Sequence, residues 1–343
     1  MEGLKKLIEI SQLYGQNPEM VIAGGGNTSY KDEKNIWVKA SGHALSTITE
    51  GGFAMLDRKK LSAISEKSYS SDPFKRESEI KDDLMEATIT KDRRPFVETS
   101  MHNAIDYAYV VHLHPTKVNG LMCGNNVVEV LEELLGNDLI YIPYIDPGYI
   151  LFKEVERQVT VFTDKKGKAP QVIYLQNHGI FVAADSTDEI QSIYADIFCK
   201  IDAAIKTKLA DETLAVRDDV AEFIPAIRMM VSTEELKTLK IRNNSVVEQF
   251  TKDATTYEKV AKPFTPDLIV YCKSKYVFIE NSDDNDKLLD EAHKKISAFI
   301  SENGYTPKVI LIKDVGLLAV GDHAAQCDTI LDVFEDAMRI SLY

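Results

Sequence analysis

The stretch Tyr109-Val110-Val111-His112-Leu113-His114-Pro115 determines which fold and chemistry we expect of this chain. Its apolar first half predicts a buried strand, and Pro115 predicts the strand's end, because proline cannot donate to a central ladder. Side chains two positions apart on a strand share one face, so both imidazoles can converge on one metal ion. α/β proteins place ligands at strand ends that face a crevice. The alternative is two histidines that are hydrogen-bonded at the edge of a core.

Two further stretches favour the metal site. His178, in Asn177-His178-Gly179, lies between strand-like runs at 171–176 and 180–184. Glu98 lies at or near a helix start, where the macrodipole favours a carboxylate, although a solvated first-turn acid is the common alternative. His102 follows four residues later and could orient Glu98, but we expect it to be capped or solvated. Three imidazoles and one carboxylate would suit zinc or another borderline divalent metal.

A glycine-rich loop at residues 23–29, Ala23-Gly24-Gly25-Gly26-Asn27-Thr28-Ser29, is a candidate anion site. Glycines let the backbone approach a ligand closely and expose N–H groups, and Asn27 and Thr28 add side-chain donors. The spacing fits neither a dinucleotide loop nor a Walker loop. The alternative is a plain hairpin turn between strand-like runs at 20–22 and 36–40.

In combination, these motifs resemble the zinc-dependent class II aldolase/adducin family over about residues 1–215. The order is Gly-Asn-Thr at 26–28, Ser-Gly at 41–42, Glu98, His-x-His at 112–114 and Asn-His-Gly at 177–179. The resemblance implies an α/β fold, a three-layer αβα sandwich around a central, largely antiparallel sheet. It also places His112, His114 and His178 on the family's metal-binding histidines. Glu98 falls on the carboxylate that is both a metal ligand and the catalytic base.

The resemblance assigns further residues around that metal. Gly26, Asn27, Thr28, Ser41 and Gly42 would bind the phosphate of a sugar-phosphate substrate. Tyr144 would be the proton donor, reaching a neighbouring subunit's site, which implies a homo-oligomer such as a fourfold ring; a surface tyrosine packed on Pro143 is the alternative. One departure matters: Phe96-Val97 replaces two serines that help to bind phosphate in the fuculose-phosphate enzymes. It leaves open whether the substrate is a standard phosphorylated ketose.

The expected activity is that of a metal-dependent aldolase. It would cleave or form a C–C bond in a ketose or ketose phosphate through a metal-stabilised enediolate. An epimerase or dehydratase acting on the same metal site is the closest alternative. A non-enzymatic adducin-like assembly module is disfavoured, because adducin-type members lose metal ligands that are all present here.

Composition limits the remaining possibilities. The chain has 343 residues, enough for two domains, and its net charge of −14 argues against unspecific nucleic-acid binding. No apolar run reaches about 18 residues, so we expect no membrane span. The N-terminus lacks an apolar signal core, and the four cysteines are too widely spaced to suggest a disulfide framework. Cytoplasmic localisation is therefore expected.

We predict three parts: a catalytic domain at 1–215, a helical linker region at 216–262 and a small C-terminal α+β domain at 263–343. Runs at 268–272, 276–279, 308–312 and 316–320 have strand composition. This tail resembles the region after the aldolase domain in bifunctional rhamnulose-phosphate aldolase/dehydrogenase proteins. Because a glycine-rich Rossmann turn and a suitably placed Tyr-x-x-x-Lys pair are missing, hydride transfer is not expected.

Overall fold

The computed structural model of the chain describes residues 1–210, 212–280 and 283–343. They form two compact units, Met1–Ala204 and Ile205–Tyr343. Across these described ranges, no helix combines the length and the apolar character needed to cross a membrane.

The first unit is built on a seven-stranded sheet. Its strands are β1 (Asn27–Lys31), β2 (Asn35–Lys39), β3 (Phe53–Asp57), β4 (Tyr109–Leu113), β5 (Ile140–Ile142), β6 (Val172–Leu175) and β7 (Gly179–Ala184). The strand order is β3-β2-β1-β4-β7-β6-β5. Neighbouring strands are antiparallel except β5 and β6, which are parallel. The strand predicted at His112 therefore lies at the centre of the sheet.

Helices cover both faces of this sheet. They are α1 (Glu2–Gly15), α2 (Arg58–Glu66), α3 (Pro73–Ala87), α4 (Thr99–Ala104), α5 (Thr116–Met122), α6 (Val127–Leu135), α7 (Tyr149–Lys166) and α8 (Thr187–Ala204). Helices α1, α5, α6 and α8 pack together on one face, and α2, α3, α4 and α7 pack on the other. The predicted α/β class is thus confirmed, as a three-layer αβα sandwich with a largely antiparallel sheet.

Local sequence explains how this scaffold presents the central strand. Residues Val110 and Phe181 face the layer of α4 and α7, and both are completely buried in one apolar cluster. Tyr194 of α8 lies against the opposite face and donates its hydroxyl to the backbone oxygen of Val111. β4 is therefore buried on both faces, and His112 near its end and His114 just after it are held by a rigid element.

The second unit is a smaller α+β domain, as predicted. Its strands are β8 (Thr238–Arg242), β9 (Val277–Ile279), β10 (Val309–Ile312) and β11 (Gly316–Gly321), in the order β8-β11-β10-β9. β9 and β10 are parallel, and the other neighbours are antiparallel. Its helices are α9 (Val220–Val231), α10 (Ser245–Phe250), α11 (Ala254–Glu258), α12 (Asn285–Asn303) and α13 (Ala324–Leu342). Helices α9 and α12 share one core cluster with the sheet, and α13 packs against β8 and β11.

Two local predictions in this unit were wrong. The apolar run Leu268–Cys272 is a turn of π-helix and not a strand. Leu268 and Cys272 are buried while Ile269 and Val270 are 52% and 64% exposed, so burial repeats every four residues and not every two. The second correction concerns β8, which lies in the stretch 216–262 that we expected to be helical, and pairs with β11.

The second unit repeats the second half of the first. β5, β6, β7 and α8 begin at 140, 172, 179 and 187, and β9, β10, β11 and α13 begin at 277, 309, 316 and 324, each 137 residues later. The strand pairings are the same in both sets. Even the tight turn between the last two strands is the same, since Asn177 and Asp314 have φ angles of 57° and 55°.

The repeat also includes the central strand, because β8 pairs with β11 in the register in which β4 pairs with β7. His112 lies opposite Phe181, and Ile241 lies opposite Leu318, which is 137 positions further along. By this register, the counterparts of the three histidines are Ile241, Asn243 and Val315. The second unit therefore repeats the arrangement of β4, β5, β6 and β7 without the three imidazoles.

Candidate metal and active site

The end of β4 and the turn between β6 and β7 bring three histidines together. One ring nitrogen from each of His112, His114 and His178 lies within 4.8 Å of the others. The turn can approach β4 this closely because position 179 is glycine. A Cβ on Gly179 would lie 2.3 Å from the backbone oxygen of Leu113.

Glu98 completes the cluster from the start of α4. Its Oε1 is 3.2 Å from Nε2 of His178, and its Oε2 is 3.5 Å from Nε2 of His112. Burial alone raises the pKa of Glu98, but the two imidazoles and a hydrogen bond from Asn27 outweigh it and hold that pKa well below its usual range. The carboxylate is therefore ionised at neutral pH.

The hydrogen bonding of His112 determines which of its nitrogens faces the cluster. Its Nδ1 is 3.1 Å from the backbone oxygen of Ile180, which can only accept, so Nδ1 has the proton. Nε2 then presents a lone pair, and burial keeps the pKa of His112 well below its ordinary value. Nε2 of His114 is 3.0 Å away. Three imidazoles beside an ionised carboxylate are a donor set that fits a divalent cation.

The glycine-rich loop directs its polar side chains into the protein. Asn27 is 1% exposed and donates from Nδ2 to Oε2 of Glu98 at 2.6 Å. The Thr28 hydroxyl is fully buried against Ser11 Oγ, 2.6 Å away. Lys39 donates to the backbone oxygens of Gly24 and Gly26. The first strand-like run expected at 20–22 is absent, since the loop leads directly into β1 at Asn27.

Ser41 and Gly42 form a more open corner. Arg94 is exposed and donates from Nη2 to Ser41 Oγ at 2.8 Å. Gly42 has a φ angle of 89°, and a Cβ there would meet nothing within 4 Å. Ser41 and Arg94 also line a cavity of about 260 Å³, together with Val97. This corner has the exposed positive charge that an anion requires.

The structure places Tyr144 on an exposed loop after β5. Its side chain is 55% exposed, its hydroxyl donates to Asp146 Oδ1 at 2.9 Å, and its backbone N–H donates to Gln176. The hydrogen bond to Asp146 raises the pKa of the phenol above its ordinary value. Its role as a proton donor stays a prediction.

The expectation that His102 is capped or solvated was wrong. His102 is completely buried, with its ring between Asn27 and Ser29 of β1. Its position four residues after Glu98 was the only sequence signal, and it could not show that β1 passes beside α4.

Comparisons with known proteins bear on the family and the fold of the first unit. The family described as "Class II Aldolase and Adducin N-terminal domain" matches residues 5–195, more than half of the chain. The N-terminal class II aldolase domain of a conserved protein from Thermoplasma acidophilum is 25% identical, with a TM-score of 0.51 over 59% of this chain and 93% of that one. L-fuculose-1-phosphate aldolase from Thermus thermophilus is 11% identical, with a TM-score of 0.39 over 59% of this chain and 93% of that one.

One curated relative aligns with both units. The uncharacterized oxidoreductase YuxG of Bacillus subtilis (strain 168) is 24% identical over 362 residues, which cover 93% of this chain and 51% of that protein. The chain thus spans about half the length of this relative. Since the family match and the fold agree, the chain belongs to the family of class II aldolase and adducin N-terminal domains.

Proposed function

We propose that the chain is a zinc-dependent aldolase that cleaves or forms a C–C bond in a ketose or ketose phosphate. The observation that supports this proposal is the convergence of His112, His114 and His178 with the ionised carboxylate of Glu98. Class II aldolases are generally lyases, which makes C–C bond chemistry the first choice among the reactions that such a site could perform.

The three histidines and Glu98 would hold the metal. When bound, a divalent cation supplies a Lewis acid that stabilises negative charge developing on a substrate oxygen. Glu98 is already ionised, and it would accept the proton of the substrate hydroxyl as the C–C bond breaks. Tyr144, whose raised pKa keeps it protonated at neutral pH, would supply the proton at the far end of the substrate.

We propose that the anionic end of the substrate binds at Ser41, Gly42 and Arg94. Because the chain has a net charge of −14, an anion needs a local cation, and the guanidinium of Arg94 is exposed beside Ser41. This guanidinium would compensate for the two serine hydroxyls that are missing because Phe96-Val97 replaces the serines. Gly26, Asn27 and Thr28 would shape the loop beside this corner, with the two polar side chains turned inward.

Metal analysis and a substrate screen test the proposal together. We expect protein purified without added zinc to contain one zinc ion per chain, and His114→Ala to lose most of it. Wild-type protein should release an aldehyde from a ketose-1-phosphate faster than from the unphosphorylated ketose. Glu98→Gln should keep the fold and lose the activity, and Glu129→Gln, on exposed surface, is the matched control.

Each alternative gives a different result in the same experiments. An epimerase or dehydratase would contain the metal and transform a sugar phosphate without releasing an aldehyde. An adducin-like assembly module would contain no metal and transform none of the sugars. Normal turnover by Glu98→Gln would show that Glu98 is not the catalytic base.

Subunit mixing tests the proposal that Tyr144 acts in a neighbouring site of a homo-oligomer, such as a tetramer. Glu98→Gln and Tyr144→Phe should each be inactive alone. If a site takes Glu98 from one protomer and Tyr144 from another, random mixing restores about a quarter of the sites. Light scattering gives the number of protomers, and an inactive mixture of tetramers would contradict an action in trans.

A further inference from the structure

We infer that His102 is a positioning residue that acts through Asn27 to hold the Glu98 carboxylate in its working orientation. This inference deepens the proposed function, because it concerns the base of the same site. The side chain of His102 is hydrogen-bonded to Ser29 and Asn27, so its effect on Glu98 is indirect.

A continuous series of hydrogen bonds leads from β1 to the metal site. Ser29 Oγ is 2.8 Å from Nδ1 of His102, and the Nε2 of that ring is hydrogen-bonded to Oδ1 of Asn27. Nδ2 of Asn27 then donates to Oε2 of Glu98 at 2.6 Å. The four side chains are buried, so water does not compete for these bonds.

Each hydrogen bond in this series can have only one assignment of donor and acceptor. The Glu98 carboxylate only accepts, so Asn27 must present its NH₂ group to it and its oxygen to His102. That oxygen also only accepts, so Nε2 of His102 has the proton and Nδ1 has the lone pair. Ser29 therefore donates its hydroxyl to Nδ1. Burial lowers the pKa of His102 to about 3, so the ring is neutral, and the hydrogen bonds to Asn27 and Ser29 select the tautomer.

The ring itself is fixed by its surroundings. His102 meets Phe181 edge-on at a centroid distance of 5.4 Å, and Phe181 in turn stacks on His112 at 4.0 Å. The backbone oxygen of His102 accepts from Lys31 Nζ at 2.9 Å. A fixed ring fixes Asn27, and Asn27 holds Oε2, which leaves Oε1 directed towards His178. Glu98 is therefore oriented before substrate arrives.

Two substitutions at position 102 test the inference. His102→Phe keeps an aromatic ring but removes the donor, and we expect kcat and zinc affinity to fall about tenfold to a hundredfold without a comparable rise in KM. His102→Gln keeps an N–H at the position of Nε2 and should recover part of both losses. His293→Phe, an exposed histidine on α12, is the matched control and should change neither.

A spectroscopic measurement separates this inference from the aldolase proposal. ¹⁵N spectra of histidine-labelled protein without metal should show His102 neutral and protonated on Nε2, whichever reaction the enzyme performs. These spectra of the wild type test the inference even if His102→Phe fails to fold. A proton on Nδ1, or wild-type kcat and zinc affinity in folded His102→Phe, would overturn the inference. If the wild type cleaves no ketose but the tautomer is as stated, only the proposed reaction fails.

Discussion

Asn27 donates a hydrogen bond of 2.6 Å to the carboxylate of Glu98, although 71 residues separate them in the sequence. The contact exists because β1 pairs with β4 so that Asn27 lies directly opposite His112. The residue that the sequence suggested as a phosphate ligand is thus bonded to the proposed base. These two roles predict different kinetics.

Replacing Asn27 distinguishes a role in binding phosphate from a role in holding Glu98. Asn27→Leu removes the donor to a charged acceptor, a bond that contributes about 1.5–3 kcal/mol, so we expect kcat to fall about tenfold to a hundredfold. KM for a phosphorylated substrate should stay near the wild-type value. Steady-state kinetics provide the measurement, with Thr28→Val as a neighbouring buried control. A rise in KM at unchanged kcat would instead make Asn27 a phosphate ligand.

Arg94 should show the opposite pattern. Arg94→Gln removes the exposed cation beside Ser41, and the loss of a charge-assisted hydrogen bond should raise KM for a phosphorylated ketose about tenfold to a hundredfold. An unphosphorylated ketose should be little affected. Lys91→Gln removes the same charge from a nearby exposed position and is the control. Equal effects on both substrates would show that Arg94 does not bind the anion.

Lys31 should make the stability of the first unit depend on pH. Burial, and to a smaller extent the charge of Arg58, lower the pKa of Lys31 from 10.5 to about 7, although Asp106 and Asp185 act in the opposite direction. Above pH 7 the unfolded chain binds a proton on Lys31 that the folded chain does not, so the free energy of unfolding rises with pH.

Urea titrations of the wild type and of Lys31→Met measure this effect. Between pH 7 and pH 9 the wild type should gain about 2 kcal/mol relative to the variant, and below pH 7 the difference should level off. Parallel curves for the two proteins across this window would show that Lys31 keeps its ordinary pKa in the folded chain.

Metal removal should leave the chain folded. The second unit forms counterparts of β4, β5, β6 and β7 and the same tight turn without the three histidines, so this part of the architecture does not require a metal. We expect a chelator to remove zinc and activity while the far-UV circular dichroism spectrum stays unchanged, with a lower Tm because a bound ligand stabilises the native state. Loss of helical signal on chelation would show that folding depends on the metal.

Much of the candidate site could be predicted because it follows local rules. The two-residue period of a strand places His112 and His114 on one face, and Gly179 indicates the close turn beside them. His102 could not be placed, because its burial depends on the pairing of β1 with β4, a contact between distant parts of the chain. The inward direction of Asn27 and Thr28 depends on the same pairing.

For the fold as well, local sequence patterns predicted some elements correctly, whereas elements that depend on tertiary contacts were missed. Alternating apolar runs predicted most strands, but Leu268–Cys272 consists of apolar β-formers that tertiary packing turned into a helix. The internal repeat has a faint sequence signal. Gly167, Pro170 and Gly179 recur 137 residues later as Gly304, Pro307 and Gly316. Turn residues recur because backbone geometry constrains them.

Comparison of the two repeats distinguishes the role of the left-handed turn from the role of His178. Asp314 adopts the strained turn of Asn177 although it is followed by Val315 and not by a histidine, so the turn reverses the strand whether or not a histidine follows it. The second unit is thus a natural recipient for protein engineering. Ile241, Asn243 and Val315 mark the three positions at which imidazoles could be grafted, on strands that pair in the same register as those of the first unit.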